Sequence, residues 1–265
     1  MVIFEEKKEV KKIKMFPVLL GGNTMKQYEA VIEVMMERGG YATLGELYKD
    51  VFKIENVKWG TQTPFASIRR IVQDERFFFK IRPGLWALKS KKAEVLERFE
   101  IVEKRNKEDF NFTHAYYQGL LLEIGKLKKM QTYVPAQDKN KKFLEKPLSE
   151  IATMDKFYNF TYDHIVDRAK NIDVTWFNER KLPNSFFEVE HSTDFKNSLL
   201  KFVELQDFNV DFRIVADKKN GKYYSSVLSM SAFDCIANRE KLISYDILSE
   251  LHTKTVELNL IENKI

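Results

Sequence analysis

The chain has 265 residues, enough for two domains of ordinary size, and a 44% hydrophobic content that supports packed cores and argues against disorder. Basic residues number 44 and acidic residues 39, and this mild net charge of +5 permits a nucleic-acid partner without requiring one. The single cysteine, Cys235, excludes an intramolecular disulfide and a cysteine metal site, and no apolar run approaches the ~20 residues that span a bilayer, so we expect a soluble protein of a reducing compartment with no membrane partner.

Three helix signals and a hairpin signal follow one another within residues 25–89. Residues 25–38 carry apolar side chains at helical spacing and end at a pair of glycines. Thr43 can cap a second helix, LGELYKDVF, and Pro64 stands at the first position of a third. The runs FFFKI and LWALK flank a Pro-Gly turn, which predicts two short strands. This order is that of a winged helix-turn-helix, and residues 1–24 precede it as an N-terminal extension.

The rest of the chain alternates between helix and strand patterns. Residues 90–110 are highly charged and predict an exposed helical linker, so a fragment that begins near residue 108 should keep a folded core. Residues 114–130 predict a helix and TYVPA a short strand, whereas residues 138–170 show only a short helix around HIVDRAK. NIDVTWF and SFFEVEH predict a strand pair, DFKNSLLKFVELQD a helix, FRIVAD a strand, and YYSSVLSM and the C-terminus further helix. We therefore expect residues 111–265 to form an α/β domain around a mixed sheet.

The predicted strand pair carries carboxylates where a doubly buried strand should be apolar. Glu188 and Glu190 are two residues apart and point to the same face of their strand. Asp173 lies at the centre of the preceding predicted strand and can face them across a hairpin. Such carboxylates supply the hard oxygen ligands that Mg²⁺ prefers, and a bound metal helps to generate a nucleophile and stabilises charge on phosphoryl oxygens. The alternative is a solvated strand face, against which the neighbouring phenylalanines argue; His191 is more typical of a hydrogen-bonding or packing residue than of a ligand.

The acidic strand pair resembles a known nuclease motif. IDVTWF, FFEVEHST, SLLKFVELQD and FRIVAD, across roughly residues 114–240, are similar to a PD-(D/E)XK restriction-endonuclease-like family whose strand reads FEVEHS or FEVEHT. The resemblance implies that Asp173, Glu188 and the Val189 carbonyl bind Mg²⁺. Glu190 stands where the superfamily usually has lysine, and could serve as general base or as a ligand of a second metal.

Polar residues on either side of the motif are candidates for a supporting role. The superfamily often adds a polar residue from the helix before these strands, and His114 and Gln118 lie one turn apart there. That both simply cap or line the helix is an equally good explanation. After the motif, Thr193 and Lys196 could contact a substrate phosphate, although Lys196 is equally typical of a solvated lysine.

The N-terminal block resembles a second family. ATLGELYKDVF, TPFASIRRIVQDE and FFFKIRPGLWALK are similar to the HARE-type helix-turn-helix, which occurs fused to some restriction endonucleases. The resemblance implies that the third helix enters the major groove of double-stranded DNA. The exposed candidates for base contacts are Thr61, Gln62, Thr63, Ser67, Arg69 and Arg70, and those for phosphate contacts are Lys58 and Lys80. A winged helix that binds another protein is the alternative.

Together these features predict an α/β chain with an N-terminal winged helix-turn-helix and a C-terminal restriction-endonuclease-like mixed-sheet core. The function they favour is that of a Mg²⁺-dependent type II restriction enzyme that cuts double-stranded DNA in a prokaryotic cytoplasm. Because two strands need two cuts, a homodimer is the simple expectation. The alternatives are a non-catalytic DNA-binding or regulatory protein with a degenerate nuclease fold, favoured by Glu190 in the lysine position, and a modification-dependent or repair nuclease.

Overall fold

The N-terminal elements form a small unit with its own core. In the computed structural model, which describes residues 24–99, 101 and 107–264, the predicted N-terminal extension lies almost wholly outside the described residues. The elements that follow it are α1 (Gln27–Glu37), β1 (Tyr41–Thr43), α2 (Leu44–Asp50), α3 (Pro64–Ile71), β2 (Phe78–Arg82) and β3 (Leu85–Leu88). The three predicted helices and the hairpin are confirmed, and Thr43 caps α2 by accepting the Glu46 N–H at 3.2 Å. The short strand β1 was not predicted; it pairs with β3, so that the antiparallel sheet has the order β1-β3-β2.

The charged stretch after this unit is less exposed than its sequence predicts. It contains α4 (Lys92–Arg98), and it leads into the long helix α5 (Lys107–Leu127), whose side chains are described from residue 112. Val95 and Phe99 are buried and pack in the same cluster as Leu120 and Leu121 of α5. The expectation of an exposed linker is therefore wrong for this segment, because Val95 of α4 and Phe99, which follows α4, reach the core. Part of the remaining linker lies outside the described residues.

The C-terminal part is built around a five-stranded mixed sheet. After α5, the elements of this part are β4 (Gln131–Tyr133), β5 (Lys142–Phe143), β6 (Lys146–Pro147), α6 (Leu148–Ile151), α7 (Asp163–Ala169), β7 (Val174–Phe177), β8 (Pro183–Glu190), α8 (Phe195–Val203), β9 (Asp211–Ala216), α9 (Gly221–Leu228), α10 (Asp234–Ala237), β10 (Glu240–Ser244) and α11 (Tyr245–Glu262). Strands β5 and β6 pair only with each other. The strand order is β10-β9-β8-β7-β4, with β8, β9 and β10 parallel and β7 antiparallel to both of its neighbours. The predicted hairpin of β7 and β8 is confirmed, whereas β5, β6 and β10 were not predicted. No described helix is long and apolar enough to cross a bilayer.

The central strand β8 separates two hydrophobic clusters. Phe187 and Val189 point toward α5, and Phe186 points toward α8 and α9. Since side chains alternate along a strand, Glu188 and Glu190 share the face of Phe186 and point toward α8.

The two sheets are joined by close packing around α11. Arg69 of α3 forms an ion pair with Glu257 of α11 (3.2 Å), and the Tyr116 hydroxyl of α5 donates to the Pro83 carbonyl in the β2–β3 turn (2.9 Å). Gly84 in that turn has φ of +76°, and a side chain there would overlap Ser249 of α11. The turn of the hairpin is thus packed against the C-terminal part of the chain.

Candidate active site

A polar cavity of about 460 Å³ lies at the carboxyl end of β8. Its walls come from α5, the residue before β7, the end of β8 and the bend after it, and the polar side of α8 that faces β8. The lining residues that the sequence analysis singled out are His114, Asp173, Glu188, Val189, Glu190 and His191. Those that it did not single out are Ser192, Asp194, Asn197, Ser198 and Lys201.

Asp173 and Glu188 are held next to each other by backbone hydrogen bonds. The Val189 N–H donates to Asp173 Oδ2 (2.7 Å), and the Asp173 N–H donates to Glu188 Oε1 (3.3 Å). The expected position of Asp173 at the centre of a strand is wrong, since β7 begins one residue later at Val174. Because Asp173 lies just before β7, its N–H is free of the strand pairing and donates to Glu188. Its carboxylate faces β8 and accepts from the Val189 N–H.

Glu188 is a buried carboxylate whose charge is balanced by a lysine. It is 4% exposed, and Lys201 Nζ lies 2.9 Å from Oε1 and 2.7 Å from Oε2. Burial and the neighbouring Asp173 raise the pKa of Glu188, although Lys201 lowers it in part. Burial lowers the pKa of Lys201, but the carboxylate of Glu188 outweighs it, and the net pKa of Lys201 is raised. A buried carboxylate beside a second carboxylate favours additional positive charge.

Glu190 is hydrogen-bonded within the wall of the cavity. Its Oε1 accepts from Ser192 Oγ (3.1 Å), and its Oε2 accepts from Ser198 Oγ of α8 (3.2 Å). The Tyr245 hydroxyl, at the start of α11, donates to the Glu190 carbonyl (2.9 Å). Glu190 therefore has a fixed orientation on the same side of β8 as Glu188.

His114 and Gln118 both reach the site from α5 and meet a buried acid, Asp138. His114 Nε2 lies 3.5 Å from Asp173 Oδ1 and 3.7 Å from Asp138 Oδ2. Gln118 Nε2 donates to Asp138 Oδ2 (2.7 Å) and to the Asp173 carbonyl (3.2 Å). Burial lowers the pKa of His114, but the two carboxylates outweigh it and raise the pKa to about 9. His114, Asp138 and Asp173 are close enough to share a metal ion.

His191 also lines the cavity and contacts a histidine and a tyrosine. Its ring is 5.5 Å from that of His114, and its Nδ1 contacts the Tyr245 hydroxyl. Burial and the charge of His114 lower the pKa of His191 to about 3, so the ring is neutral at ordinary pH. This placement fits the hydrogen-bonding and packing interpretation.

Lys201 supplies the site with the positive charge for which Lys196 was a candidate. Lys196 is exposed and lies outside the cavity wall, on another face of α8, and Thr193 is exposed in the preceding bend. Ser198 and Lys201 are three residues apart, on the side of α8 that faces β8. The sequence did contain a signal for Ser198 and Lys201. They are polar residues at helical spacing on a helix whose other side is apolar. Asp138 follows β4 in a stretch without a clear pattern, and no sequence signal pointed to it.

The candidate DNA-contacting residues differ in exposure. Lys58, Gln62, Thr63 and Arg70 are exposed, and Thr61 and Ser67 are half-buried. Arg69 is also half-buried, and it pairs with Glu257 of α11 at 3.2 Å. The expectation of exposure is therefore wrong for Thr61, Ser67 and Arg69. Lys80 is exposed, with its Nζ 3.7 Å from Asp246 Oδ1.

The chain is thus an α/β protein whose central strand ends at an acidic cavity that is suited to a cation. Residues 95–264 match the model of the type II restriction enzyme NmeDI C-terminal domain family. This match covers more than half of the chain, and the chain belongs to that family. Comparison with curated proteins and with solved structures gives no significant match.

Proposed function

We propose that the chain is a Mg²⁺-dependent type II restriction endonuclease that hydrolyses phosphodiester bonds in double-stranded DNA. The observation that carries the proposal is the pair of adjacent carboxylates, Asp173 and Glu188, at an open cavity beside Lys201. The family match supports it, because the family is named for a restriction enzyme.

The donor atoms around Asp173 fit a hard divalent cation. Asp173, Glu188 and the Val189 carbonyl would hold Mg²⁺, which prefers oxygen ligands and keeps several waters. When bound, the metal supplies charge stabilisation at the phosphoryl oxygens and a more acidic water. The set of His114, Asp138 and Asp173 suits Mg²⁺ less well, because imidazole is a ligand preferred by transition metals.

The basic side chains of the cavity would position the substrate phosphate. Lys201 is held against Glu188, and its ammonium group can neutralise charge that develops on a phosphoryl oxygen there. This is the electrostatic task that lysine performs at the position which Glu190 occupies here. His114, whose pKa is raised to about 9, carries a positive charge at neutral pH on the opposite side of Asp173.

Glu190 is proposed as the group that orients or deprotonates the attacking water. Its two hydroxyl partners, Ser192 and Ser198, fix the carboxylate without supplying a counter-charge. A carboxylate in that state keeps lone pairs available for a water proton.

The N-terminal unit is proposed to hold DNA as a winged helix-turn-helix, with residues 25–89 as one domain, residues 90–110 as the connection and residues 111–265 as the nuclease domain. The order of three helices and a β-hairpin supports this division. Lys58, Gln62, Thr63 and Arg70 remain the candidates for DNA contact, and Arg69 contributes only if its pair with Glu257 opens. A homodimer would present two sites to the two strands.

The test is plasmid cleavage with and without Mg²⁺, alongside DNA binding measured by a mobility shift. Asp173→Ala and Glu188→Ala should each abolish cleavage and leave binding largely intact, because these carboxylates hold the cation rather than the duplex. Glu179→Ala, which removes an exposed carboxylate in the β7–β8 loop, is the matched control and should cut normally. Full activity of Asp173→Ala would remove the assigned site, and an inactive wild type that still binds DNA would favour the degenerate-nuclease alternative.

A further inference from the structure

The C-terminal helix α11 carries a stripe of exposed apolar side chains. Ile247 is 58% exposed, Leu251 36%, Leu258 55% and Ile261 45%. With 3.6 residues per turn, these four and Lys254 fall within an arc of roughly 80°. We call these five residues the α11 stripe.

The opposite face of α11 is fully used by the fold. His252 contacts Glu123 of α5 (2.6 Å). Val256 packs against the hydrophobic core of the N-terminal unit, which includes Leu47. The α11 stripe is therefore not a consequence of a poorly packed helix. Its spacing of four, three, four and three residues is the spacing of a coiled-coil seam.

We propose that the α11 stripe binds a second copy of this chain, with the two α11 helices antiparallel across a two-fold axis at Lys254. A two-fold interface must be self-complementary. The stripe meets this requirement because it reads Ile, Leu, Lys, Leu, Ile in either direction. The pairing places Ile247 against the partner's Ile261 and Leu251 against the partner's Leu258.

The charges beside the seam favour the same arrangement. Glu250 and Glu257 lie along one edge of the α11 stripe, and Lys254 pairs with Glu257 of its own helix at 3.4 Å. At the two-fold axis each Lys254 also comes beside the partner's Glu250, which adds a carboxylate from the second chain to the one that its own helix supplies. Antiparallel helices also place opposite ends of their dipoles together, whereas parallel packing would bring like ends together.

The pairing rests on the exposed face of α11 and not on the nuclease function, although it has a consequence for the site. Tyr245 begins α11 and donates to the Glu190 carbonyl. Because 18 residues of helix are about 27 Å long, the two cavities would lie toward opposite ends of the seam.

Thiol crosslinking tests the orientation of the pair. In a background in which the exposed Cys235 is replaced (Cys235→Ser), Lys254→Cys should give a covalent dimer with a short bifunctional thiol crosslinker, since packed helix axes are about 8–10 Å apart. Ile247→Cys is the matched control and should stay uncrosslinked, because the two copies of position 247 would be about 20 Å apart. Crosslinking of Ile247→Cys, or of neither variant, would overturn the proposal.

Light scattering on the full chain tests the contact itself. Wild type should have the mass of two chains, and Leu258→Glu that of one chain with an unchanged circular dichroism spectrum, because Leu258 makes its contacts outside the monomer core. Leu182→Glu changes another exposed leucine (45% exposed), which lies away from α11, and this variant should remain a dimer. A monomeric wild type, or a dimer that Leu258→Glu leaves intact, would refute the α11 stripe as the interface.

Discussion

At the scale of single residues, the ammonium group that faces Glu188 in the candidate site belongs to α8 and not to β8. A carboxylate occupies position 190, and Lys201 of the following helix reaches the same region, with its Nζ 2.7 Å from Glu188 Oε2. The positive charge is thus provided by α8 and not by β8, while Glu190 is left to hydrogen-bond with Ser192 and Ser198.

Lys201→Ala should reduce single-turnover cleavage by about 10²-fold or more, the cost of losing one group that stabilises the charge of a transition state. Lys201→Arg should recover part of the rate, because it keeps the charge but not the compact geometry. Lys196→Ala, on the same helix but outside the cavity, is the control and should cleave at the wild-type rate. Equal rates for Lys201→Ala and Lys196→Ala would show that Lys201 only neutralises Glu188.

Glu190→Gln should lower the cleavage rate by on the order of 10²-fold, because it keeps the shape but removes the charge needed by a general base or a ligand. Glu190→Lys should not restore the rate, since Lys201 already supplies a positive charge nearby and a second one would repel the cation. Single-turnover cleavage of both variants beside wild type measures this. If Glu190→Gln cleaves at the wild-type rate, the role of Glu190 is limited to stabilising the bend after β8 through its hydrogen bond with Ser192.

At the scale of elements, the edge strand β10 is the least expected part of the sheet. It extends the parallel set beside β9 and leads directly into α11, and so it determines where that helix starts. Its first residue, Glu240, is 4% exposed, and the neighbouring Arg213 is already hydrogen-bonded to the carbonyls of Phe212 and Arg239. Burial raises the pKa of Glu240 to about 8, although the nearby backbone of Ile214 and the charge of Arg213 lower it in part.

This buried carboxyl should make stability depend on pH. The folded protein keeps Glu240 protonated up to a pKa of about 8, whereas the unfolded chain ionises it near its ordinary value of 4.5. Stability is therefore fully present below that ordinary value and is lost as pH rises toward 8, by at most about 1.4 kcal/mol per pH unit. Glu240→Gln removes the titrating group, so its melting temperature should exceed that of wild type at pH 8 and approach it at pH 5. A constant difference across this range would mean that Glu240 is ionised in the fold.

At the scale of the whole molecule, the N-terminal unit and the sheet of the C-terminal part share one continuous core. Tyr41, Leu85 and Phe99 belong to the same buried cluster as Leu120 and Val174. The two parts also meet through the Arg69–Glu257 ion pair (3.2 Å). The proposed DNA-holding unit and the cavity therefore have a fixed relation, which suits an enzyme that must place a recognised sequence over its site.

A fragment that begins near residue 108 should be markedly less stable than the full chain, contrary to what the charged linker suggests. Removing Leu85, Val95 and Phe99 uncovers the side of α5 that they bury, and each large apolar side chain exposed costs about 1.5–3 kcal/mol. Denaturant unfolding, followed by circular dichroism, compares the stability of the fragment with that of the full chain. If both unfold at the same denaturant concentration, residues 90–110 are an exposed linker as the sequence predicts.

Local sequence patterns were enough to predict the three N-terminal helices with their hairpin and the acidic residues of β8. Helical periodicity, the Thr43 cap, the Pro64 start and the Pro-Gly turn act over a few residues, and so they could be predicted without knowledge of the fold. The same holds for the two glutamates of β8, because a period of two places them on one face.

Contacts between distant parts of the chain could be found only in the folded structure. Asp138 and Lys201 reach the site from a loop and a helix far along the chain, and Arg69 lost its expected exposure to Glu257. Likewise, Val95 in a charged stretch is buried, because α4 lies against α5 and the hairpin. Local patterns record the preference of each segment for helix or strand, but a contact between segments depends on how whole surfaces pack, which a single short pattern does not contain.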